Sequence, residues 1–122
     1  MKNILFLAVL FTATTVVKAQ QGARRTVEER VQIAHQKLDS AFKLDNAKLT
    51  EADSVFTSFY RSAEKTREEM MSGGHTDFQA MREKMQPAMD ERDQKLQGIL
   101  TADQYKTWKD QIEPSLRPRR QQ

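Results

Sequence analysis

The chain has 122 residues, a formal net charge of +3, 38% hydrophobic residues and no cysteine. A chain of this length forms one domain, and its low apolar content leaves little material for a self-sufficient core. Disulfides, which often stabilise small exported domains, are excluded because there is no cysteine. The remaining options are a thin helical body, self-association or partial disorder, and the composition favours an oligomer.

The first 19 residues have the layout of a secretory signal peptide. Lys2 gives a positive start, residues 4–17 are largely apolar, and a small-residue cleavage site ends at Ala19. The apolar stretch is shorter than the roughly 20 residues of a membrane-spanning helix. We therefore expect export to the periplasm, cleavage after Ala19 and no stable membrane insertion. Loss of residues 1–19 lowers the net charge to +1, so the charge gives no argument for binding nucleic acid.

The rest of the chain is predicted to be all-α. The spacing of apolar residues is helical, and alternating runs typical of strands are absent. We predict four helices in one domain over residues 26–113. A short N-terminal tail (residues 20–25) precedes it, and a basic, proline-broken and disordered tail (residues 114–122) follows it.

The first two helices have recognisable starts and stops. Thr26 followed by Glu29 three residues later forms a capping box, which predicts the start of helix one. Helix two is predicted to begin after Thr50 and to run to about Ser72. The glycine pair beginning at Gly73 is the expected stop.

Helix three is predicted to begin near Thr76 or Asp77, and its apolar residues recur on one face. They are Phe78, Met81, Met85, Met89, Leu96 and Ile99. Pro87 falls inside this helix and removes one backbone hydrogen bond, so we predict a kink there rather than two helices. Helix four is predicted to begin after Thr101 and to end by Glu113-Pro114.

The start of helix four carries a motif in which every residue has a local role. Thr101 is the predicted N-cap, and the Gln104 side chain can reach back to its N–H. Leu100 can pack on Tyr105 as a hydrophobic staple. A similar opening occurs 51 residues earlier. The two motifs are Leu49-Thr50-Glu-Ala-Asp53 and Leu100-Thr101-Ala-Asp-Gln104-Tyr105.

These paired Leu-Thr-x-x-Gln openings, in a small, exported, cysteine-free helical chain, resemble the Spy/CpxP family over residues 26–112. The second motif matches fully, whereas the first has Asp53 where the family has glutamine. The resemblance implies four helices in a thin, curved, antiparallel homodimer shaped like a cradle. It also implies an ATP-independent periplasmic chaperone or envelope-stress protein whose concave face binds unfolded or partly folded envelope proteins.

Flexible apolar side chains beside positive charges suit such a binding face, because methionine is unbranched and polarizable and charge steers encounter. The predicted client-binding residues are Met70, Met71, Met81, Met85, Met89, Arg67, Arg82 and Arg92. A stripe of methionines at helical spacing is equally compatible with a core or a dimer interface. Met70 and Met71 are adjacent, so one of them must point away from the buried stripe of helix two, and that one is the better candidate.

Other functions are less well supported by the sequence. No nucleophile–histidine–acid arrangement and no phosphate-binding loop are present, so we expect neither an enzyme nor a cofactor. An accessory regulator that docks on the periplasmic domain of an envelope-stress sensor kinase, as CpxP-type members do, remains an alternative. A zinc-responsive protein is a weaker one, because only His35 and His75 are present, 40 residues apart.

Overall fold

The computed structural model describes residues 24–74 and 77–117, and their regular structure is entirely helical. Its elements are α1 (Val27–Phe42), α2 (Asn46–Ser72), α3 (Phe78–Ile99), α4 (Ala102–Thr107), a π-helical turn (Trp108–Ile112) and α5 (Glu113–Leu116). The last three follow one another without a break and are called the C-terminal helix. The predicted all-α class with four helices is therefore confirmed. The predicted signal peptide, its cleavage site and the end of the basic tail lie outside the described residues.

Helix α1 and the C-terminal helix begin where the sequence predicts, each with a capping box. Thr26 Oγ1 accepts the N–H of Glu29 at 3.1 Å, and the Glu29 carboxylate accepts the N–H of Thr26 at 3.1 Å. The C-terminal helix begins in the same way, with Thr101 Oγ1 accepting the N–H of Gln104 at 3.2 Å and Gln104 Oε1 accepting the N–H of Thr101 at 3.0 Å. Both predicted capping boxes are confirmed.

Helix α2 begins five residues earlier than predicted, so the assignment of Thr50 as its N-cap is wrong. Asp45 is the N-cap, and its side chain accepts the N–H of Lys48 at 2.8 Å. Thr50 lies inside the helix, where its hydroxyl donates to the carbonyl of Asn46 at 2.8 Å. Aspartate is as good an N-cap as threonine. The earlier start also places Leu49 on the buried face of the helix.

Helix α3 begins after Asp77, as predicted, and this side chain accepts the N–H of Gln79 at 2.9 Å. The helix continues through Pro87 as one element, which confirms one helix rather than two. The kink at Pro87 stays a prediction.

The C-terminal helix is longer than predicted, because residues 114–116 are helical rather than part of a disordered tail. The π-helical turn explains this: the N–H of Glu113 bonds to the carbonyl of Trp108, five residues back. Pro114 lies in the first turn of α5, a position at which proline is tolerated. Leu116, in the last turn, packs against the core.

The core lies where all four helices meet. Its buried members are Ala34, Leu38, Leu49, Ala52, Val55, Phe56, Leu96, Ile99, Leu100, Trp108 and Ile112. The aromatic rings of Phe56 and Trp108 are 6.3 Å apart, and Tyr105 stacks on Trp108 at 6.1 Å. Leu100 and Tyr105, the predicted staple of the second motif, both contribute to this cluster.

Candidate binding surface

Helices α2 and α3 project beyond the helices that pack on them. Arg30 lies over the ring of Tyr60 at 5.6 Å, and α1 begins only three residues before Arg30. At the other side, Glu113 Oε1 lies 3.4 Å from Arg92, and the C-terminal helix ends three residues later. Both covering helices thus stop about one turn beyond these contacts. We call residues 64–74 and 77–89 the outer hairpin, and residues 27–63 and 90–116 the inner bundle.

The two regions use different apolar residues. The outer hairpin contains no leucine, isoleucine, valine, tryptophan or tyrosine. Apart from alanine and proline, its apolar side chains are Met70, Met71, Phe78, Met81, Met85 and Met89. The inner bundle contains no methionine. Among the residues that the structure describes, methionine is therefore confined to the part of the hairpin that the other described helices leave uncovered.

Large apolar side chains are exposed at the end of the outer hairpin. Met71 is 63% exposed and Phe78 is 66% exposed, and they flank the turn that contains Gly73 and Gly74. Met70 is only 2% exposed, so the prediction that one of the two adjacent methionines points outward is confirmed for Met71. The exposure of Phe78 was not expected, because the sequence placed it on the buried face of helix three.

The three methionines of α3 are half-buried, in agreement with a stripe that packs on α2 while leaving part of each side chain accessible. Of the predicted arginines, Arg82 is exposed. Arg67 is half-buried, and its Nε is buried without a hydrogen-bond partner among the described residues. The outer hairpin thus combines accessible thioethers with at least two guanidinium groups.

Arg92 does not belong to this surface, and its assignment as a client-binding residue is wrong. Its side chain is 6% exposed, and its guanidinium lies between the rings of Phe59 at 4.4 Å and Trp108 at 4.8 Å. Aromatic faces attract guanidinium groups, most strongly where water is excluded. The sequence could not indicate this site, because the two rings come from different helices.

Arg92 belongs to an ion cluster that joins α3 to the C-terminal helix. Its Nε donates to Asp93 at 2.9 Å, and Glu113 lies 3.4 Å from the guanidinium. Lys109 Nζ lies 3.0 Å from Asp93 and 2.7 Å from Glu113, and Arg117 donates to Glu113 at 3.2 Å. The only sign of this cluster in the sequence is the i,i+4 spacing of Lys109, Glu113 and Arg117.

The cluster shifts the pKa values of its members. Burial alone would raise the pKa of Glu113, but the hydrogen bond from Lys109 and the charge of Arg92 outweigh it and hold this pKa below its ordinary value of 4.5. Burial would likewise lower the pKa of Lys109, but hydrogen bonds to Glu113 and Asp93 raise it above 10.5. Burial raises the pKa of Tyr60 above 10.0, although Arg30 and Arg92 oppose this.

The first Leu-Thr motif has a different role from the second. The carboxylate oxygens of Asp53 lie 2.9 and 3.0 Å from Nδ1 of His35, so this residue joins α2 to α1. It caps no helix start. The two Leu-Thr motifs of this chain therefore differ in structural role.

The part of the chain that the structure describes has neither a metal-binding cluster of side chains nor a membrane-spanning helix. No group of three or more histidine, cysteine or acidic side chains there could hold a metal ion. No helix within residues 24–74 and 77–117 has the length and apolar character needed to cross a membrane. His75, the only histidine besides His35, lies outside the described residues.

Comparison with known proteins gives a family but no function. No curated protein and no solved structure matches the chain significantly. One family model, described as a domain of unknown function (DUF4890), matches residues 13–108. The match spans α1, α2, α3 and the start of the C-terminal helix, which is most of the chain. The protein therefore belongs to the DUF4890 family.

Proposed function

We propose that the protein is an ATP-independent chaperone that binds unfolded or partly folded proteins on the outer hairpin and suppresses their aggregation. The observation that carries this proposal is the exposure of Met71 and Phe78 at the end of a methionine-rich hairpin that no other helix within residues 24–74 and 77–117 covers. Apolar side chains of this size are normally turned inward, and an exposed group of them indicates a surface for binding.

The chemistry of the surface suits clients of varied sequence. Methionine side chains have three rotatable bonds and a polarizable sulfur, so they can adapt to differently shaped apolar segments. Nearby charges of both signs, including Lys65, Arg67, Arg82 and Glu83, would steer encounter and keep the free surface soluble. Binding and release then need no nucleotide, because affinity depends on how much apolar surface the client exposes.

We further propose that the protein works in the periplasm as an antiparallel homodimer. The predicted signal peptide and the resemblance to the Spy/CpxP family support the compartment. The small core supports self-association, because a chain of this size buries a limited share of its apolar surface alone. Light scattering of the mature chain, residues 20–122, should give a mass of two chains.

The test of the chaperone function is aggregation of a reduced, unfolding client in the absence of ATP. Equimolar mature protein should suppress light scattering by the client. The double variant Met71→Ser/Phe78→Ser should lose most of this suppression. Ala41→Ser, which changes an exposed apolar residue of the inner bundle, is the control and should behave like the wild type.

Two results would contradict the proposal. One is unchanged client aggregation in the presence of the wild-type protein. The other is stoichiometric binding to one sensor-kinase domain with no effect on clients, which would identify the protein as a regulator of envelope stress instead.

A further inference from the structure

Nearly all the sulfur of this chain lies in the outer hairpin. There is no cysteine, and five of the six methionines belong to the outer hairpin, the sixth being Met1. Without cysteine, methionine is the side chain whose sulfur two-electron oxidants such as peroxides convert, in this case to the sulfoxide. A peroxide that reaches the folded protein therefore acts on the proposed client-binding surface rather than on the leucines and isoleucines of the inner bundle.

The five thioethers of the outer hairpin differ in how far solvent reaches them. Met71 is 63% exposed, whereas the adjacent Met70 is only 2% exposed. The three methionines of α3 are half-buried. A dissolved oxidant has to touch the sulfur, so it reaches Met71 directly but reaches Met70 only when the hairpin opens locally. Exposure therefore favours Met71 as the first methionine to react.

The surroundings of Met71 allow its side chain to change without loss of the fold. Met71 lies in the last turn of α2, and its backbone carbonyl accepts the N–H of Gly74 at 3.2 Å. This hydrogen bond does not involve the thioether, and the side chain is not among those of the core cluster. A sulfoxide at Met71 would thus stand at the surface, whereas a sulfoxide at Met70 would be a polar group in a buried site.

We propose that Met71 is a reversible oxidation site that regulates client binding by the outer hairpin. The sulfur lone pair attacks one oxygen of a peroxide and the O–O bond breaks. With hydrogen peroxide the products are methionine sulfoxide and water. Two thiols of a methionine sulfoxide reductase reverse the change, because they are oxidised to a disulfide while the sulfoxide oxygen leaves as water. The regulatory role rests on the proposed chaperone function, whereas the oxidation site does not.

The effect on binding follows from the change in polarity. A thioether offers a client an apolar, polarizable contact, but a sulfoxide oxygen has to lose its bound water when an apolar segment covers it. Met71 and Phe78 are the large hydrophobic side chains that the described residues expose, and they flank the same turn. Oxidation of Met71 therefore makes one of these two contacts polar.

The oxidation site is tested by treating the mature chain, residues 20–122, with hydrogen peroxide and following oxygen uptake by mass spectrometry. Residues 68–82 form one tryptic peptide, and its fragmentation separates Met70 from Met71. Met71 should gain oxygen at least about tenfold faster than Met70, which reacts only through local opening. Faster oxidation of Met70 or Met81, or equal rates at all the methionines, would overturn the proposal.

The regulatory role is tested on the wild-type protein that carries a single oxygen at Met71, after chromatographic separation from other forms. It should keep its helical circular dichroism and lose most of its suppression of client aggregation relative to the untreated protein. Incubation with a methionine sulfoxide reductase and dithiothreitol should restore the suppression. Unchanged suppression, or a loss that is accompanied by unfolding, would overturn the regulatory role.

Two leucine variants assign the effect to one sulfur, each variant being compared with its own untreated sample. After the same brief exposure to peroxide, Met71→Leu should keep its starting level of suppression, because the reactive sulfur is absent. Met89→Leu is the matched control, since it removes a half-buried sulfur, and it should lose suppression as the wild type does. Equal losses in the two variants would overturn the assignment to Met71.

The oxidation site and the chaperone function fail by different results. If the untreated wild type does not suppress client aggregation, the chaperone function is overturned together with the regulatory role. The oxidation rates from mass spectrometry would still decide whether Met71 is the oxidation site. Suppression that survives complete oxidation of Met71 would overturn the regulatory role and leave the chaperone function standing.

Discussion

The inner bundle and the outer hairpin are built from the same two long helices but have opposite surroundings. In the inner bundle, α2 and α3 are covered by α1 and the C-terminal helix, and they bury leucine, phenylalanine and tryptophan together with Arg92. In the outer hairpin no other helix of the described residues covers these two, and they carry methionines and the exposed Phe78. The difference places the buried core at one end of the molecule and the proposed binding surface at the other, so we expect substitutions in the outer hairpin to leave the inner bundle folded.

Among the variants considered, Trp108→Ala in the inner bundle should cause the largest loss of stability. Trp108 is fully buried and contacts Phe56, Tyr105 and Arg92. Its truncation should lower the free energy of unfolding by about 3–5 kcal/mol, a large fraction of the total for a small domain. Met71→Ala in the outer hairpin should change the same quantity by less than about 0.5 kcal/mol.

Urea denaturation followed by circular dichroism gives both values. Should Trp108→Ala fail to fold, Trp108→Phe gives a smaller loss in the same direction. Equal losses for the tryptophan and Met71 variants would contradict the division of the molecule into two regions.

The ion cluster of the inner bundle should set the pH range of stability. Glu113 has a lowered pKa, so its contribution is present above pH 4.5 and is lost as the pH falls through its folded pKa. Lys109 has a raised pKa, so its contribution is fully present below pH 10.5 and is lost as the pH rises through its folded pKa. The raised pKa of Tyr60 acts in the same alkaline direction. We expect a plateau of stability between these limits.

Glu113→Gln should lower that plateau by about 1.5–3 kcal/mol, because charged hydrogen bonds are lost. It should also remove part of the acid-induced decline in the free energy of unfolding. The matched control is Glu91→Gln, which breaks the exposed Lys95–Glu91 pair and should cost less than about 1 kcal/mol. Urea melts at several pH values measure both. A decline with acid that is identical in wild type and Glu113→Gln would show that other groups control it.

The sequence predicted the helices better than it predicted their contacts. Thr26 and Thr101 start helices because their capping boxes are local, and local interactions can be recognised without the fold. Thr50 was misassigned because Asp45 competes as an N-cap, and burial of Leu49 favours the earlier start. Periodicity alone could not decide between two adequate caps.

Among the predicted binding residues, exposure was predicted correctly only where local geometry was sufficient. The adjacency of Met70 and Met71 required one to point outward, and one does. Arg92 was wrongly predicted to lie on the binding surface, because its burial depends on contacts between side chains of three different helices. Phe78 fits the spacing of the α3 stripe, but it lies at the first position of α3, beyond the helices that could cover it.

Alanine substitution of Thr101 and of Thr50 should affect stability differently, because the two Leu-Thr motifs have different structural roles. Thr101→Ala should cost about 1 kcal/mol of unfolding free energy, because the N-cap hydrogen bond is lost. Thr50→Ala should cost close to nothing, because Thr50 is an exposed residue inside α2 and alanine has the higher helix propensity. Thermal and urea melts of the two variants provide the comparison. A loss of about 1 kcal/mol for Thr50→Ala would mean that this threonine caps a helix after all.

Gly74 and Gly98 should respond to alanine with opposite signs. Gly74, in the turn of the outer hairpin, has φ of +71°, where an L side chain is strained although no atom lies within 4 Å of its Cβ position. Gly74→Ala should therefore cost about 1 kcal/mol. Gly98 lies in α3 of the inner bundle with equally open surroundings, so Gly98→Ala should stabilise by about 0.5–1 kcal/mol.

The size of each glycine effect also depends on the region in which it lies. The turn at Gly74 contributes to the free energy of global unfolding only if the outer hairpin unfolds in the same cooperative unit as the inner bundle. A full 1 kcal/mol loss in urea melts of Gly74→Ala would show that the two regions unfold together. A loss visible only as faster amide exchange in residues 64–89 would show that the outer hairpin opens on its own, which is the behaviour that the proposed client-binding role requires.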